Sequence, residues 1–502
     1  MGKLLVTITP PTPNGDLHIG HMAGPFLAAD IFTRAQRQRG HDCTLVSYSD
    51  DYQSYLLRRG IELDRDPQAL ALENTRKIND TLERMGIEVD FWMRPYRNSY
   101  FKKAVEETYE AAVKAGAIYK QVSQEPYCGH CDKWGYEAFG RGQCDHCGAD
   151  SDASQCENCA HTPNASKMAG FRCKLCSRPM IWRPIEREFL ALSNFKAPLK
   201  ALFEKTPTRP FIRRFLSEEF DKGPIDWGIT RPHDGGLDLK PDGSRRIHTW
   251  VMGLSGYLGA FREYLNEKKH APWEYDEYCR SGKGRLVHFL GYDCAFSHMI
   301  VYPALLQTMA GYHMRQTFYT NQFLTLKGEN LSTSRNYAIW ARDLVEQSST
   351  DSARFYLALI APEQDTDDFD IDKFHAWRAH VFDEVLVRLA ASAEAEREAG
   401  DALRLGGADT QAIKGFVSRW FEVTSVDHFS MKGLAVLLSD VINAAHDRVS
   451  LGKKILPYMA LLGAIGAPVF PELARQILRH CRFTESEVFD QLVYVSAVEY
   501  EI

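Results

Sequence analysis

Two short apolar strands separated by one amphipathic helix constrain this chain more than anything else in it. Residues 4–10, LLVTITP, form an apolar β-type run that stops at proline. After the turn Pro13-Asn14-Gly15-Asp16, the segment LHIGHMAGPFLAADIFTRAQRQRG spaces its apolar residues as a helix does. CTLVSYSDD follows, a second buried strand with acids at its C-terminal end. Strand, helix and strand, with polar groups where the strands end, predict the start of a Rossmann-type, doubly wound parallel sheet.

With 502 residues the chain needs more than one packed unit. Hydrophobic content of 44% and charged content of 25% fit a globular protein. No apolar run is long enough to span a bilayer, and MGKLLVTITPPTPNGD lacks the form of a secretion signal, so no membrane partner and a cytoplasmic home are expected. The formal charge of −6 gives no overall basic field, and a nucleic-acid partner would have to meet a local basic patch.

Eight of the 12 cysteines form four Cys-x-x-Cys pairs: Cys128/Cys131, Cys144/Cys147, Cys156/Cys159 and Cys173/Cys176. Such a turn presents two thiolates to one cation, so four pairs complete two tetrahedral all-cysteine sites, predicted to hold two structural Zn²⁺ ions. Neither site keeps an open position, and the Gly/Asp/Asn-rich stretch around them lacks a core of its own. A redox role is the alternative reading.

In Thr12-Pro13-Asn14-Gly15-Asp16-Leu17-His18-Ile19-Gly20-His21, two imidazoles flank a glycine where a strand hands over to a helix. Helix starts attract phosphate, imidazole N–H groups donate to it, and a glycine lets a flat base approach. The plainer reading is a pair of capping or surface histidines. Asp50, at the end of the second strand, is a fixed anion that selects an amino acid over a plain carboxylic acid; its plainer reading is a helix cap.

His18-Ile19-Gly20-His21 resembles the His-Ile-Gly-His motif of class I aminoacyl-tRNA synthetases, and its surroundings are similar to the methionyl branch. The likeness continues through DWGITRP (226–232), Trp250 to Tyr257, HFLGYD (288–293) and DSARFYLA (351–358). It implies an ATP-dependent amino-acid-activating ligase that uses ATP with Mg²⁺. By position it assigns His18 and His21 to the ATP phosphates, Gly20 to the adenine, and Gly291 and Asp293 to the adenosine, with Asn14 and Leu331 also at the ATP. Asp50 takes the α-ammonium and Arg231 the phosphate or carboxylate side. Thr12, Trp250, Tyr257, Cys294 and His298 surround the side chain. The resemblance also nests the zinc pairs, 144/147 with 156/159 inside 128/131 with 173/176.

The implied plan is a Rossmann catalytic domain in two halves (1–118 and 236–322), split by a zinc-knuckle insertion (119–235). A loop and stem-contact region (323–380) and an α-helical, anticodon-binding-like domain (381–502) follow.

Several positions depart from the family. Its Lys-Met-Ser-Lys-Ser motif falls on Asn330-Leu331-Ser332-Thr333-Ser334, so both lysines are missing; Ser332, Ser334 and Arg335 are the catalytic candidates left there, with Lys327 as another substitute cation. Losing one such donor typically slows the reaction on the order of a hundredfold or more. Thr12 replaces a tyrosine lid, Met252-Gly253-Leu254 replaces Asp-Ala-Pro, and Cys294 replaces a β-branched residue, which favours a smaller or more polar amino acid than methionine. The helices from Val387 lack the family's anticodon-reading asparagine and tryptophan; Trp420 and Phe421 are possible stacking planes, or core.

These departures lead to the expectation of transfer to a small hydroxyl or amine acceptor, as in hydrazine-forming natural-product enzymes. There a cupin unit rearranges the ester; with no cupin-like run here, it would be a separate partner or a removed domain. The alternatives are a working methionyl-tRNA synthetase, with tRNA as acceptor, and an inactive regulatory paralogue.

Overall fold

The computed structural model describes residues 2–153, 155–156, 158–223, 226–232, 235–240, 245–331, 337–399 and 408–489. A parallel sheet of five strands organises the molecule: β1 (Lys3–Ile8), β2 (Asp42–Tyr48), β3 (Phe91–Met93), β4 (Gly284–Gly291) and β5 (Arg315–Asn321). Their spatial order is β5-β4-β1-β2-β3. From Leu4 to Ile8 every residue of β1 is buried, as a strand covered on both faces requires. Leu4, Val6 and Ile8 pack into one core, and Leu5 into the other with Val46 and Leu286.

The chain lays down β1, β2 and β3 outward, then returns to the other side of β1 with β4. Strand order therefore reverses at β1, and the crevice beyond the carboxyl ends of β1 and β4 is where such sheets hold ligands. The histidine turn follows β1 directly, and Gly291 closes β4.

Between the two halves of the sheet lies a long antiparallel pair, Ile118–Cys128 with Ile181–Leu190, in register from Ile118↔Leu190 to Tyr127↔Ile181. It carries the cysteine-rich segment, where Gly140–Gln143 is flanked by Asp150–Asp152 and Ala169–Cys173. This insertion folds back onto the sheet: Gln155 donates its amide to the Asp293 carbonyl, and Arg58 donates to the Ala138 carbonyl at 3.1 Å.

Past β5, Leu324–Leu326 and Glu329–Asn330 form a hairpin, and Asp367–Phe369 adds to it in parallel. Helices Ile371–Arg378, Val387–Glu398, Ala408–Val423, Met431–Ser450, Leu456–Gly466 and Pro471–Cys481 complete the C-terminal part. Helix Val387–Glu398 runs into the Ala/Glu/Arg-rich segment, and residues 400–407 lie outside the described residues. Trp420 is 1% exposed and belongs to the core shared with β1, so it offers no free face to a base. Among the described residues no helix is long and apolar enough to cross a membrane.

Candidate active site

The histidine turn is held from both sides. His18 caps the short helix Ile19–His21: the Gly20 N–H donates to His18 Nδ1 at 3.1 Å, and the His18 N–H donates to His21 Nδ1 at 3.2 Å. Capping is therefore one of their duties, and it has a chemical consequence. With Nδ1 accepting from the backbone, each neutral ring keeps its proton on Nε2, a donor for phosphate oxygen. Burial, with the neighbouring His21, holds His18 well below the usual imidazole range. Burial also lowers His21 to about 4, against the His18 backbone and Asp16.

The stretch after the hairpin backs this turn. Ile19 N–H donates to the Ile339 carbonyl at 3.0 Å, and Ala341 N–H to the Leu17 carbonyl at 3.1 Å. A Cβ on Gly20 would stand 3.0 Å from both the His18 ring and Leu331, a tight contact where the two predicted motifs meet. Ser332, Ser334 and Arg335 lie outside the described residues.

Asp50 ends β2 with its backbone N–H on the Pro11 carbonyl at 3.1 Å, beside the loop that carries Thr12 and Asn14, both half-buried. It is buried; one carboxylate oxygen accepts from Thr249 Oγ1 and the other from Gln53 Nε2, each at 2.5 Å. Both donors are neutral. Burial, reinforced by Asp51 and Glu137, pushes its carboxyl up to about 7 despite those two bonds. Helix Ser54–Leu63 starts at Gln53 with no side-chain cap, so Asp50 is not a cap. The adjacent Asp51 instead meets Arg94 at 3.3 Å.

Around the crevice, Tyr257 Oη donates to His298 Nε2 at 2.9 Å, while His298 Nδ1 donates to the Cys294 carbonyl at 3.1 Å. Burial lowers His298 to about 3, so the ring is neutral. Tyr48 and Tyr302 crowd the same space: a Cβ on Gly253 would overlap the Tyr302 hydroxyl, and the Tyr48 hydroxyl reaches the Gly253 carbonyl at 3.3 Å. Trp250 is half-buried and stacks over Trp227 with centroids 6.3 Å apart. A Cβ on Gly291 would come within 2.6 Å of Asp293 Oδ1, and burial raises the Asp293 carboxyl against backbone N–H donors.

Arg231 sits differently from its expected role. Its Nε donates to Glu137 Oε1 at 3.0 Å, its guanidinium stacks on Tyr136, and His248 Nε2 lies 2.8 Å from the same carboxylate. Burial works to raise Glu137, but His248 and Arg231 hold its carboxyl well below the usual range. Arg231 is thus already neutralised and braces the site's wall. Glu137, His248, Thr249, Tyr48 and Tyr302 were not singled out in the sequence; Thr249 stands beside Trp250, which was, and Gln53 belongs to Asp51-Tyr52-Gln53, which departs from the Glu-His-Gly usual in the family.

The eight paired cysteines gather as Cys128, Cys131, Cys173 and Cys176, and as Cys144, Cys147, Cys156 and Cys159, with the sulfurs of each set within 4.8 Å of one another. This is the nested pairing. Sulfur separations of 3.6 Å (Cys128–Cys176), 3.9 Å (Cys144–Cys159) and 3.6 Å (Cys147–Cys156) are too long for disulfides. They approach the edge, about 3.8 Å, of a tetrahedron with zinc–sulfur bonds of about 2.3 Å. Both donor sets fit zinc.

A family model described as tRNA synthetases class I (M) matches residues 4–390. The chain belongs to this family. Its members are ATP-dependent amino-acid ligases. The synthetase-family chain is 31% identical over 378 residues to the methionine–tRNA ligase of Dehalococcoides mccartyi strain CBDB1, covering 74% of this chain and 68% of that protein. It is 27% identical over 390 residues to the methionine–tRNA ligase of Pyrococcus furiosus, covering 74% of this chain and 54% of that protein. It therefore spans about half the length of the Pyrococcus relative and about two thirds of the Dehalococcoides one. The methionyl-tRNA synthetase of Mycobacterium tuberculosis bound by methionyl-adenylate shares the fold, with TM-score 0.72 and 18% identity over 95% of this chain and 93% of that one. Nothing in these likenesses supports the expected small-molecule acceptor or a cupin partner.

Proposed function

We propose that this class I synthetase activates an amino acid with ATP to the aminoacyl-adenylate and transfers the acyl group to tRNA, as a methionine–tRNA ligase. The observation that carries this reading is the pairing of two donors with a buried acceptor at one switch point. Two Nε2–H groups stand ready for phosphate, and a buried carboxylate lacking a cation stands ready for an ammonium. In the reaction the amino-acid carboxylate attacks the α-phosphorus, and pyrophosphate leaves. His18 and His21 donate to phosphate oxygens as charge accumulates there. Asp50 orients the α-ammonium, and Gly20 makes room for the base. The relatives support tRNA as acceptor and methionine as amino acid. Mg²⁺ bound with ATP would offset the triphosphate charge.

A second reading, a smaller or more polar amino acid passed to a small acceptor, is favoured by two observations. The pocket wall is hydroxyl-rich, with Tyr48, Tyr257 and Tyr302 around His298, and Trp420 is buried away from any RNA base. ATP–pyrophosphate exchange across the proteinogenic amino acids, followed by charging of methionine tRNA, separates the two. Methionine-dependent exchange with charging supports the first reading. Exchange only with another amino acid, and no charging, overturns it.

A further inference from the structure

Beside the inner cysteine set, three further side chains converge that neither all-cysteine site uses. His146 lies within the Cys144–Cys147 knuckle, His161 follows Cys159, and Glu218 comes from helix Pro210–Lys222. One ligand atom from each falls within 4.8 Å of the others. His161 Nε2 stands 3.1 Å and His146 Nε2 3.6 Å from the same oxygen, Glu218 Oε2, and the two imidazole centroids are 3.8 Å apart.

We propose that His146, His161 and Glu218 form a third metal site, for a zinc-class divalent cation. His161 is the anchor: its side chain is 5% exposed, and its Nδ1 is hydrogen-bonded to the carboxylate of Glu219. A carboxylate on the outer nitrogen fixes the ring's orientation, the arrangement that metal-bound imidazoles adopt, and a cation at Nε2 would take the place of the hydrogen bond between Nε2 and Glu218 Oε2. Two imidazole nitrogens and one carboxylate oxygen suit Zn²⁺ or Co²⁺ better than Ca²⁺ or Mg²⁺. His146 and Glu218 are partly exposed, so water can complete the coordination.

Simple ion pairing does not account for His146. Lys222 Nζ lies 2.9 Å from His146 Nδ1, and an ammonium donating there requires a neutral ring. When a cation binds, Lys222 releases Nδ1 of His146, the ring proton moves from Nε2 to Nδ1, and Nε2 takes the metal, while the proton shared by His161 Nε2 and Glu218 Oε2 passes to solvent. The ion would fasten the inner knuckle to helix Pro210–Lys222. That helix places Phe211 and Phe215 edge-on against Tyr292, at 5.2 and 6.0 Å, between Gly291 and Asp293 of the nucleotide crevice. Its role is positional.

The test is elemental analysis and Co²⁺ titration of the full chain with both all-cysteine sites filled by zinc. The site predicts three metal equivalents per chain after zinc saturation. It also predicts one equivalent of Co²⁺ giving d–d absorption without the intense thiolate charge-transfer band. Glu218→Gln, an isosteric change on a partly exposed residue, removes that equivalent and leaves two zinc ions, as does His161→Ala. Lys222→Ala tightens Co²⁺ binding several-fold by removing the competing donor. A wild-type chain that saturates at two equivalents and takes up no Co²⁺ overturns the site. So does a Glu218→Gln protein that binds the third equivalent as wild type does.

Discussion

Asp50 is a carboxylate taken out of water with only two neutral donors for company, an arrangement that folding alone does not favour. Its carboxyl is raised to about 7, from an ordinary value near 3.8, mainly by burial. The unfolded chain therefore gives up this proton at a lower pH than the folded one. Above pH 4 the folded state is increasingly disfavoured by Asp50, and the full penalty is reached once pH exceeds about 7. Asp50→Asn should thus stabilise the ligand-free protein at pH 8, by on the order of 2–4 kcal/mol, while amino-acid activation is lost. Chemical denaturation alongside pyrophosphate exchange checks both; a destabilised or active variant defeats the ammonium role. For the wild type, amino-acid affinity should weaken as pH falls below 7, because the protonated carboxyl repays less for an ammonium. His21→Asn keeps a side-chain acceptor for the His18 N–H but lacks the aimed Nε2 donor. Its exchange rate should fall on the order of a hundredfold with little change in KM, as stopped-time assays would show. Asp50 was legible in the sequence because it sits two residues past a strand end, and the histidines because they open the first helix after β1. Glu137 was not, since its partners Arg231 and His248 reach it only through the folded insertion. The DWGITRP likeness gave Arg231 a substrate role without revealing that a carboxylate already occupies it.

At the level of elements, the cysteine pairs were the most legible feature, because thiolate spacing alone counts the sites. What spacing does not contain is where the insertion leans. The structure answers with Gln155 on the Asp293 carbonyl, so the knuckles touch the end of β4. Zinc removal should therefore act at a distance from the metal. Stripping with a strong chelator should open the chain to protease between Cys128 and Cys176 first, since the segment has little core to hold it. Amino-acid and ATP affinities should then drop several-fold while the parallel sheet stays folded, and readdition of Zn²⁺ should restore both. Mass mapping of the cleavage sites and calorimetry check this; unchanged affinities in metal-free protein would show the knuckles to be bystanders. The parallel pairing of Leu324–Leu326 with Asp367–Phe369 was not legible, because that contact is non-local.

Across the whole molecule, one side chain ties the sheet to the C-terminal helices. Arg354, on helix Thr350–Leu359, has no exposed surface and donates to Asp30 Oδ2 at 2.6 Å, Met85 and Gly86 carbonyls at 3.0 Å, and Pro468 and Val469 carbonyls at 2.7 and 2.8 Å. Asp30 belongs to the helix after β1, and residues 468–469 lead into helix Pro471–Cys481. The sequence offered Arg354 only as one letter in DSARFYLA, since all five partners lie far along the chain. Because a planar fork is matched to these acceptors, lysine cannot replace it. Arg354→Met should leave Asp30 with Arg34 and the Glu88 N–H, leave Gly86 with Arg34, and deprive the Met85, Pro468 and Val469 carbonyls of this donor, destabilising the fold by about 3–5 kcal/mol. The core running from β1 to Trp420 is continuous, so the loss should first loosen the bundle from the sheet and split a single denaturation transition into two. Fluorescence of buried Trp420 and pyrophosphate exchange, followed in parallel against urea, distinguish the outcomes. Early bundle release with exchange retained identifies Arg354 as the tie, whereas one coincident transition shifted by under 1 kcal/mol would place the coupling in the apolar core instead.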